Sequence, residues 1–430
     1  MYMGTNRNIC YMALVSTSSC YVSCAARCRD TLRTLGEDHT VNLRVAIITE
    51  NFLPKLDGVT HTLTRLLEHL QAQGHQALLL GPESGMEEYA GAELVGTAGL
   101  PFPFYPELKF NFFRPLFVRR LGEFNPDVIH LVDPVILGAT GIAAARFFNK
   151  PLVSSYHTNL AAYCEHFGFG LLTRPMWLYN RFVHNQCSLT FCPSPSTAAM
   201  LRLQGFEHLR IWPRGVDTTL FGPLCRDEAL RARWLAAREE PQRKTILLYV
   251  GRVSWEKNLR LLIQAYRTMD HARCHLVIVG DGPAYAEVQQ ELADLPVTFT
   301  GYLRGEELAT AYASADVFAF PSYTETFGQV VLEAMASALP VVGLLSEGVC
   351  DLVEDGVTGL LLNAHRLNEE EQIEGYRQRL QCLVDDAQTR REMSRVALKS
   401  ARSHTWSEAM ERIVRGYQEV IEAQQPLVAA

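Results

Sequence analysis

The chain has 430 residues, 48% of them hydrophobic and 20% charged, with a formal net charge of -7. That is enough chain for two or three domains with ordinary cores, so fibrous and wholly disordered classes are excluded. The negative balance and interspersed charges give no electrostatic footprint for nonspecific nucleic-acid binding, which would need a local basic face, and no apolar run of eighteen residues occurs that could cross a membrane.

Residues 1–42 differ from the rest. Ser, Thr, Cys and Tyr predominate, and four arginines face one acid before Glu37. The segment reads as a poorly ordered extension; its Arg and Ser bias is that of a transit peptide, although no amphipathic repeat accompanies it. Cys10, Cys20, Cys24 and Cys28 fall here without a C-x-x-C pair or neighbouring histidines, which argues against zinc. The other seven of the eleven cysteines, Cys192, Cys274 and Cys350 among them, lie in or beside apolar segments and read as buried free thiols.

From Leu43 onward, short β-branched runs alternate with segments of helical period, the pattern of βα units around parallel sheets. Strands are predicted at Arg44–Thr49, Ala77–Leu80, Val128–Leu131, Leu152–Tyr156, Leu189–Cys192 and Leu209–Trp212, with helices such as Thr60–Ala72 and Ala198–Gln204 between them. Pro213 to Lys244, rich in Pro and Gly, reads as a linker carrying a charged helical piece from Asp227 to Glu240. Strands resume at Ile246–Val250, His275–Val279, Val297–Thr300, Val317–Phe320, Pro340–Gly343 and Gly359–Leu362, with helices Leu259–Met269 and Gln329–Ala338. Thr405-Trp-Ser-Glu408 fits a capping box, and Trp406, Met410, Ile413, Val414, Tyr417 and Ile421 mark one apolar face of a closing helix. The reading is α/β, with two doubly wound domains facing across a cleft and ligand chemistry at the carboxyl ends of the strands lining it.

Several segments can carry chemistry there. Gly58 stands at the first strand-to-helix turn, where backbone N–H groups and the helix dipole favour an anion; a tight turn alone would also explain it. Arg252 and Lys257, in Gly251-Arg-Val-Ser-Trp-Glu-Lys-Asn258, follow a central strand and suit a pyrophosphate as well as they suit solvent. Gly280-Asp281-Gly282-Pro283 also follows a strand, but Tyr285 stands where a G-x-G-x-x-G fingerprint needs glycine, which disfavours a dinucleotide oxidoreductase. In Phe320-Pro-Ser-Tyr-Thr-Glu325-Thr-Phe327-Gly328-Gln-Val-Val-Leu-Glu333, the two acids are eight positions apart. Eight helical steps are on the order of 12 Å, wider than the roughly 5–9.5 Å of hydrolytic pairs. They read as acceptors for hydroxyls on different parts of one extended ligand, against an exposed loop acid plus an ordinary helix Glu. His157 ends a predicted strand, a position from which it would point into the cleft, against the reading of one more surface or core residue among thirteen histidines. No Asp-x-Asp, H-E-x-x-H or G-x-S-x-G occurs, so a metal-clamped diphosphate, a zincin and an α/β-hydrolase are unsupported.

Gly251–Asn258, Gly280–Pro283 and Pro321–Ser337 together resemble the retaining glycosyltransferases of family 4, with a GT-B fold. Leu53–Val59, Ser155–Thr158 and Pro213–Phe221 fit the branch holding phosphatidylinositol mannoside mannosyltransferases and plant sulfoquinovosyltransferases. The likeness runs from about Leu43 to Leu362, departing at Ala338 and Cys350.

The resemblance implies an extension over 1–42, an acceptor-side Rossmann-like domain over 43–220, a linker over 221–243, a nucleotide-sugar domain over 244–402 and a crossover helix over 403–424. Arg252, Lys257, Glu325 and His157 would be catalytic; Gly58, Asp281, Gly282, Phe327, Gly328 and Glu333 would bind the donor. No metal or cofactor is implied, the nucleotide sugar being a co-substrate. The implied reaction moves mannose from GDP-mannose to a lipid or glycan acceptor; a UDP-sugar-dependent sulfoquinovosyl or glucosyl transfer is the alternative. A nucleotide-sugar epimerase and a non-catalytic binding protein are the rivals outside that class. The place is cytoplasmic, or peripheral on a membrane through Leu108–Leu121, which mixes four cations and four phenylalanines without an acid; a solvated helix covering the sheet explains that stretch equally.

Overall fold

The computed structural model describes residues 42–54, 57–102, 105–110, 114–161, 170–235 and 244–424. Apart from Asn42, the extension and its four cysteines lie outside them. Ten strands form the first half: β1 Arg44–Thr49, β2 Gln76–Pro82, β3 Glu88–Tyr89, β4 Ala92–Thr97, β5 Leu100–Phe102, β6 Tyr105–Phe110, β7 Val128–Val132, β8 Leu152–Ser155, β9 Leu189–Cys192 and β10 Leu209–Ile211. Eight of them make one sheet in the order β10-β9-β8-β7-β1-β2-β4-β3, parallel except for β3 against β4, while β5 and β6 pair as a separate hairpin. The second half contributes β11 Thr245–Val250, β12 Cys274–Val279, β13 Val297–Gly301, β14 Val317–Phe320, β15 Val341–Leu344 and β16 Gly359–Leu362, all parallel in the order β13-β12-β11-β14-β15-β16.

Helices cover both faces of each sheet, which is why the central strands are continuous apolar runs instead of alternating ones. Val45 to Thr49 and Ile246 to Val250 are buried throughout. In each sheet the order reverses once. The chain winds outward from β1 through β2 and β4, then returns to β7 beside β1; likewise β14 returns beside β11. A reversal opens a crevice beyond the carboxyl ends of the two strands flanking it. The loops at these two points are Glu50–Gly58 with Asp133, and Gly251–Asn258 with Pro321–Gly328.

The closing helix, Trp406–Gln424, returns to the first sheet. Its buried Met410, Ile413, Val414 and Tyr417 pack with Phe191 and Trp212, each such burial stabilising by about 1.5–3 kcal/mol. Thr405 Oγ1 accepts from the Glu408 amide at its N-terminus.

Differences from the sequence reading are local. Four strands, β3 to β6, are absent from the sequence reading: β3 is a two-residue edge strand, β4 pairs between β2 and β3, and β5 and β6 form the separate hairpin. The segment Leu108–Leu121 is no single element: a strand ends at Phe110 and a helix starts at Pro115. In that helix Phe117 and Leu121 are buried, and the arginines are matched by acids, Arg119 by Glu123 at 2.7 Å and Arg120 by Glu123 at 3.2 Å and Glu93 at 3.4 Å. Two of the four cations of the stretch are thus paired with acids, while Phe112 and Phe113 lie outside the described residues. Cys187, Cys192 and Cys274 are buried free thiols and Cys225 is half-buried, whereas Cys350 and Cys382 are exposed, because each sits on the outer side of its helix; Cys164 lies outside the described residues.

Candidate functional site

β11 delivers Gly251-Arg252-Val253-Ser254, followed by a single 3-10 turn at Trp255–Lys257. Asn258, in the left-handed region at φ 55°, ends that turn, and its side-chain amide donates to the Pro321 carbonyl at 3.2 Å. The loops after β11 and β14 are thereby tied together. The result is Lys257 Nζ at 2.6 Å from Glu325 Oε1, with Ser322 Oγ donating to the same oxygen at 3.1 Å. Burial alone would push the Glu325 carboxyl up, but the Lys257 ammonium, the Ser322 hydroxyl and the Arg214 guanidinium outweigh it and hold the acid below its ordinary value. It is a carboxylate in the native protein.

Glu333 sits differently. It lies inside the helix Gln329–Ala336, buried, with Tyr312 Oη donating to it at 3.1 Å and Gln329 Nε2 at 3.4 Å. Burial prevails over these two donors and raises its carboxyl to about 7. The two acids thus share no partner and titrate apart, as two separate hydroxyl acceptors would. Gly328, at φ 88°, turns the chain into that helix, and Phe327 beside it is buried.

Gly282 is dictated by close approach. A Cβ there would stand 2.4 Å from the Val253 carbonyl oxygen, because the loops after β11 and β12 hydrogen-bond directly, Val253 to the Asp281 carbonyl at 3.0 Å and Ala284 to the Val253 carbonyl at 3.0 Å. Asp281 and Arg252 are exposed at the rim, and the Tyr249 hydroxyl donates to the Arg252 carbonyl at 2.9 Å.

In the first half, Gly58 opens the helix Gly58–Ala72, with Asp57 as N-cap accepting from the Thr60 amide at 2.9 Å. His157 is buried just past β8; its amide donates to Asp133 Oδ1 at 2.7 Å, and its carbonyl accepts from Thr326 Oγ1 of the second half at 2.8 Å. Burial, reinforced by Arg214, His130 and His184, holds the imidazole well below its ordinary value, so it is neutral.

Two residues of this site did not stand out in the sequence. Arg214, within the stretch read as linker, is only 8% exposed; its guanidinium lies against Gly58 and faces the charges of Asp133, Glu325 and Asp57. Its signal in the sequence is the Pro213-Arg-Gly-Val fragment, which opens the Pro- and Gly-rich stretch. Asp133 anchors the His157 loop through the His157 and Thr158 amides and the Thr158 hydroxyl at 2.6 Å. Burial raises its carboxyl to about 6 against those three donors. An isolated Asp-Pro after a strand gave no hint of this.

The halves meet around the cluster. Thr197 Oγ1 lies 2.6 Å from Glu347 Oε1, the Ser196 amide donates to Asp351 at 3.2 Å, and Gln329 Nε2 donates to the Gly215 carbonyl at 3.1 Å. Four buried polar atoms bordering the meeting point, His157 Nδ1, Trp212 Nε1, Arg214 Nε and Gln329 Oε1, have no hydrogen-bond partner. Buried polar atoms are seldom left so, and a polar ligand would supply what they lack. Arg214 and Lys257, with Arg252 at the rim, can neutralise an anion as charge develops on it, while Glu325 and Glu333 can accept from hydroxyls. Among the described residues, no group of three His, Cys, Asp or Glu side chains is arranged to hold a metal ion.

Comparison with known proteins agrees with this architecture. The family described as Glycosyltransferase Family 4 matches residues 56–220, and Glycosyl transferases group 1 matches 244–381. A GDP-mannose-dependent alpha-mannosyltransferase of Corynebacterium glutamicum is 36% identical over 384 residues, covering 88% of this chain and 89% of the relative. Sulfoquinovosyl transferase SQD2 of Arabidopsis thaliana is 32% identical, covering 86% of this chain and 72% of its own. Among solved structures, a sucrose-phosphate synthase from Thermosynechococcus elongatus superposes with a TM-score of 0.70 at 21% identity, over 89% of this chain and 100% of that one. Anabaena Alr3699/HepE in complex with UDP-glucose gives 0.69 at 19%, over 88% and 100%. These last two bear on the fold alone, and that fold is GT-B. With sheets, loops and sequence in agreement, the chain belongs to the glycosyltransferases of family 4.

Proposed function

We propose that this glycosyltransferase moves a hexosyl group with retention of configuration, mannose from GDP-mannose, to a lipid or glycan acceptor. The observation that carries the reading is the Lys257–Glu325 pair at 2.6 Å beside the Arg214 guanidinium. The cations would take the charge of the departing diphosphate, Glu325 would hold hydroxyls of the sugar and Glu333 those of the ribose. His157 would stand beside the sugar, and Gly58 would leave room for the first loop to approach the phosphates. Asp281, Gly282, Phe327 and Gly328 would border the nucleotide. Stabilisation of the leaving group by protein cations needs no divalent ion. The leaving phosphate would accept the proton of the incoming acceptor hydroxyl.

The donor preference rests on relatives at 35–38% identity named GDP-mannose-dependent alpha-mannosyltransferase. A UDP-sugar reading is favoured by the 32% sulfoquinovosyl relative and a 27% relative named alpha-monoglucosyldiacylglycerol synthase. The lipid reading draws on the helix Gly170–His184, which exposes Leu171 (95%), Leu172, Leu178 and Phe182 together with Arg174 and Arg181, and contains no acid. An apolar stripe edged by cations suits an anionic membrane surface. Among the described residues no helix is long and apolar enough to cross a membrane.

Thermal-shift titration with GDP-mannose, UDP-glucose and UDP-sulfoquinovose tests the donor, since a ligand that binds only the native state raises the melting temperature. GDP-mannose is expected to stabilise most, and proton NMR of the product to report an α linkage. Preferential stabilisation by a UDP sugar would transfer the reading to the alternative donor, and an inverted product would end the retaining mechanism.

A further inference from the structure

His157 is connected, through three hydrogen bonds inside the first half, to the closing helix. Tyr417 Oη lies 2.8 Å from His130 Nδ1; His130 Nε2 lies 2.9 Å from Ser155 Oγ; Ser155 Oγ lies 2.9 Å from His157 Nε2. His130 is on β7, Ser155 ends β8 beside it, and Tyr417 comes from Trp406–Gln424. The rings of Phe191, Trp212 and Tyr417 pack edge-on around His130.

The direction of the chain follows from counting protons. With both imidazoles neutral, the four side chains carry four N–H or O–H protons, and three contacts can absorb only three of them. One proton must be left over. If every bond ran from His157 towards Tyr417, the leftover would be the phenol proton. If both imidazoles donated to Ser155, it would be the serine proton. If every bond runs from Tyr417 towards His157, it is the proton on His157 Nδ1. Tyr417, His130 and Ser155 are 0% exposed, whereas His157 is 6% exposed and borders the cleft. A buried unmatched donor costs about 1–3 kcal/mol; the first two arrangements leave one and also an unmatched lone pair on His157 Nδ1, whereas the third leaves the Nδ1–H alone. The same His157 Nδ1 is one of the buried atoms without a partner.

We infer that Tyr417, acting through His130 and Ser155, is a positioning residue that sets the tautomer of His157, so that Nδ1 carries the proton and is held as an unmatched hydrogen-bond donor for a ligand. The tautomer of a histidine is set by the partner of its other nitrogen. Here that partner is oriented by a helix nearly three hundred residues further along the chain, so docking of the closing helix and donor recognition become one event. The proton on Nδ1 would be offered to an oxygen of the donor, a sugar hydroxyl or a phosphate; this part rests on the functional reading above.

The test is two-bond 15N–1H correlation NMR of the 15N-histidine-labelled full chain without donor, with His157→Asn used to assign the signal. The wild type is expected to show His157 as the single Nδ1–H tautomer and His130 as Nε2–H. Tyr417→Phe keeps the ring and removes only the hydroxyl; His157 is then expected to populate both tautomers, and donor kcat/KM to fall about tenfold, as for one lost hydrogen bond. Ser155→Ala severs the chain independently and is expected to do the same, which keeps the test open if Tyr417→Phe fails to fold. A wild-type His157 protonated on Nε2, or a single unchanged tautomer in the folded variants, overturns the inference. So does a tautomer shift with unchanged kcat/KM. Because the tautomer is read without donor, failure of the functional reading shows separately, as a wild type that turns over no nucleotide sugar.

Discussion

The guanidinium of Arg214 fills the space that a side chain at position 58 would need: a Cβ on Gly58 would come within 2.7 Å of Nη1. The contact joins the first helix of one half to the cation that faces Glu325 of the other. Because the obstructing atom is the tip of a long side chain, Gly58→Ala is expected to move the guanidinium and not to unfold the protein. Donor kcat/KM should fall about a hundredfold, the scale on which one preorganised charge stabiliser acts, with a melting temperature close to that of the wild type. A variant with unchanged kcat/KM would show that the position of Arg214 is immaterial.

Removing Lys257 leaves Glu325 buried without its nearest cation. Lys257→Ala and Arg252→Ala are each expected to lower turnover a hundredfold or more, with full turnover in either purified variant counting against the site.

Lys257→Ala should also change the response to pH. A carboxylate held below its ordinary value contributes stability above the unfolded value and loses it as pH falls through the folded one. In Lys257→Ala burial dominates, Glu325 takes up its proton at higher pH, and the acid limb of the kcat/KM profile moves towards neutrality. An unmoved limb would mean that the pair is not the group observed.

Glu333 has the opposite sign. Its carboxyl is raised to about 7, so the native protein binds the proton more tightly than the unfolded chain, and stability falls as pH rises from the ordinary Glu value through about 7. Ribose hydroxyls donate best to the ionised form. Affinity for the nucleoside diphosphate, measured by calorimetry, should therefore rise from about pH 6 to about pH 8, with a slope approaching tenfold per unit on the acid side. Glu333→Gln should flatten that dependence and raise the donor KM more than it lowers kcat, as loss of uniform binding does. An equally steep slope in the variant would place the titrating group elsewhere.

The lipid reading makes its own demand on the helix Gly170–His184. Co-sedimentation with anionic vesicles should exceed that with neutral ones and weaken with salt. The double variant Arg174→Glu, Arg181→Glu should abolish the difference while leaving thermal stability intact, since both side chains are exposed. Equal binding to both vesicle types by the wild type would remove the anionic-surface argument.

The sequence by itself determined the two parallel sheets and the loops that carry their chemistry. Apolar runs such as Ile246–Val250 and Val317–Phe320 have no solvent face to alternate towards, and the glycines and caps around them punctuate unmistakably. Lys257 and Glu325 were legible because each lies in the loop that follows a buried strand, where ligands bind in such sheets; Glu333 was legible from its place in the helix after the second of those loops. Tertiary structure alone decided how charges combine. Arg214 belongs to the site because a stretch that looks like a linker passes under Gly58. Arg120 meets Glu93 only because the fold brings the helix Pro115–Phe124 to β4. Tyr417 reaches His130 only because the closing helix crosses back to the first sheet. Periodicity reports which face of an element is buried, but an electrostatic partnership depends on which elements meet, and that distance is not encoded in local spacing.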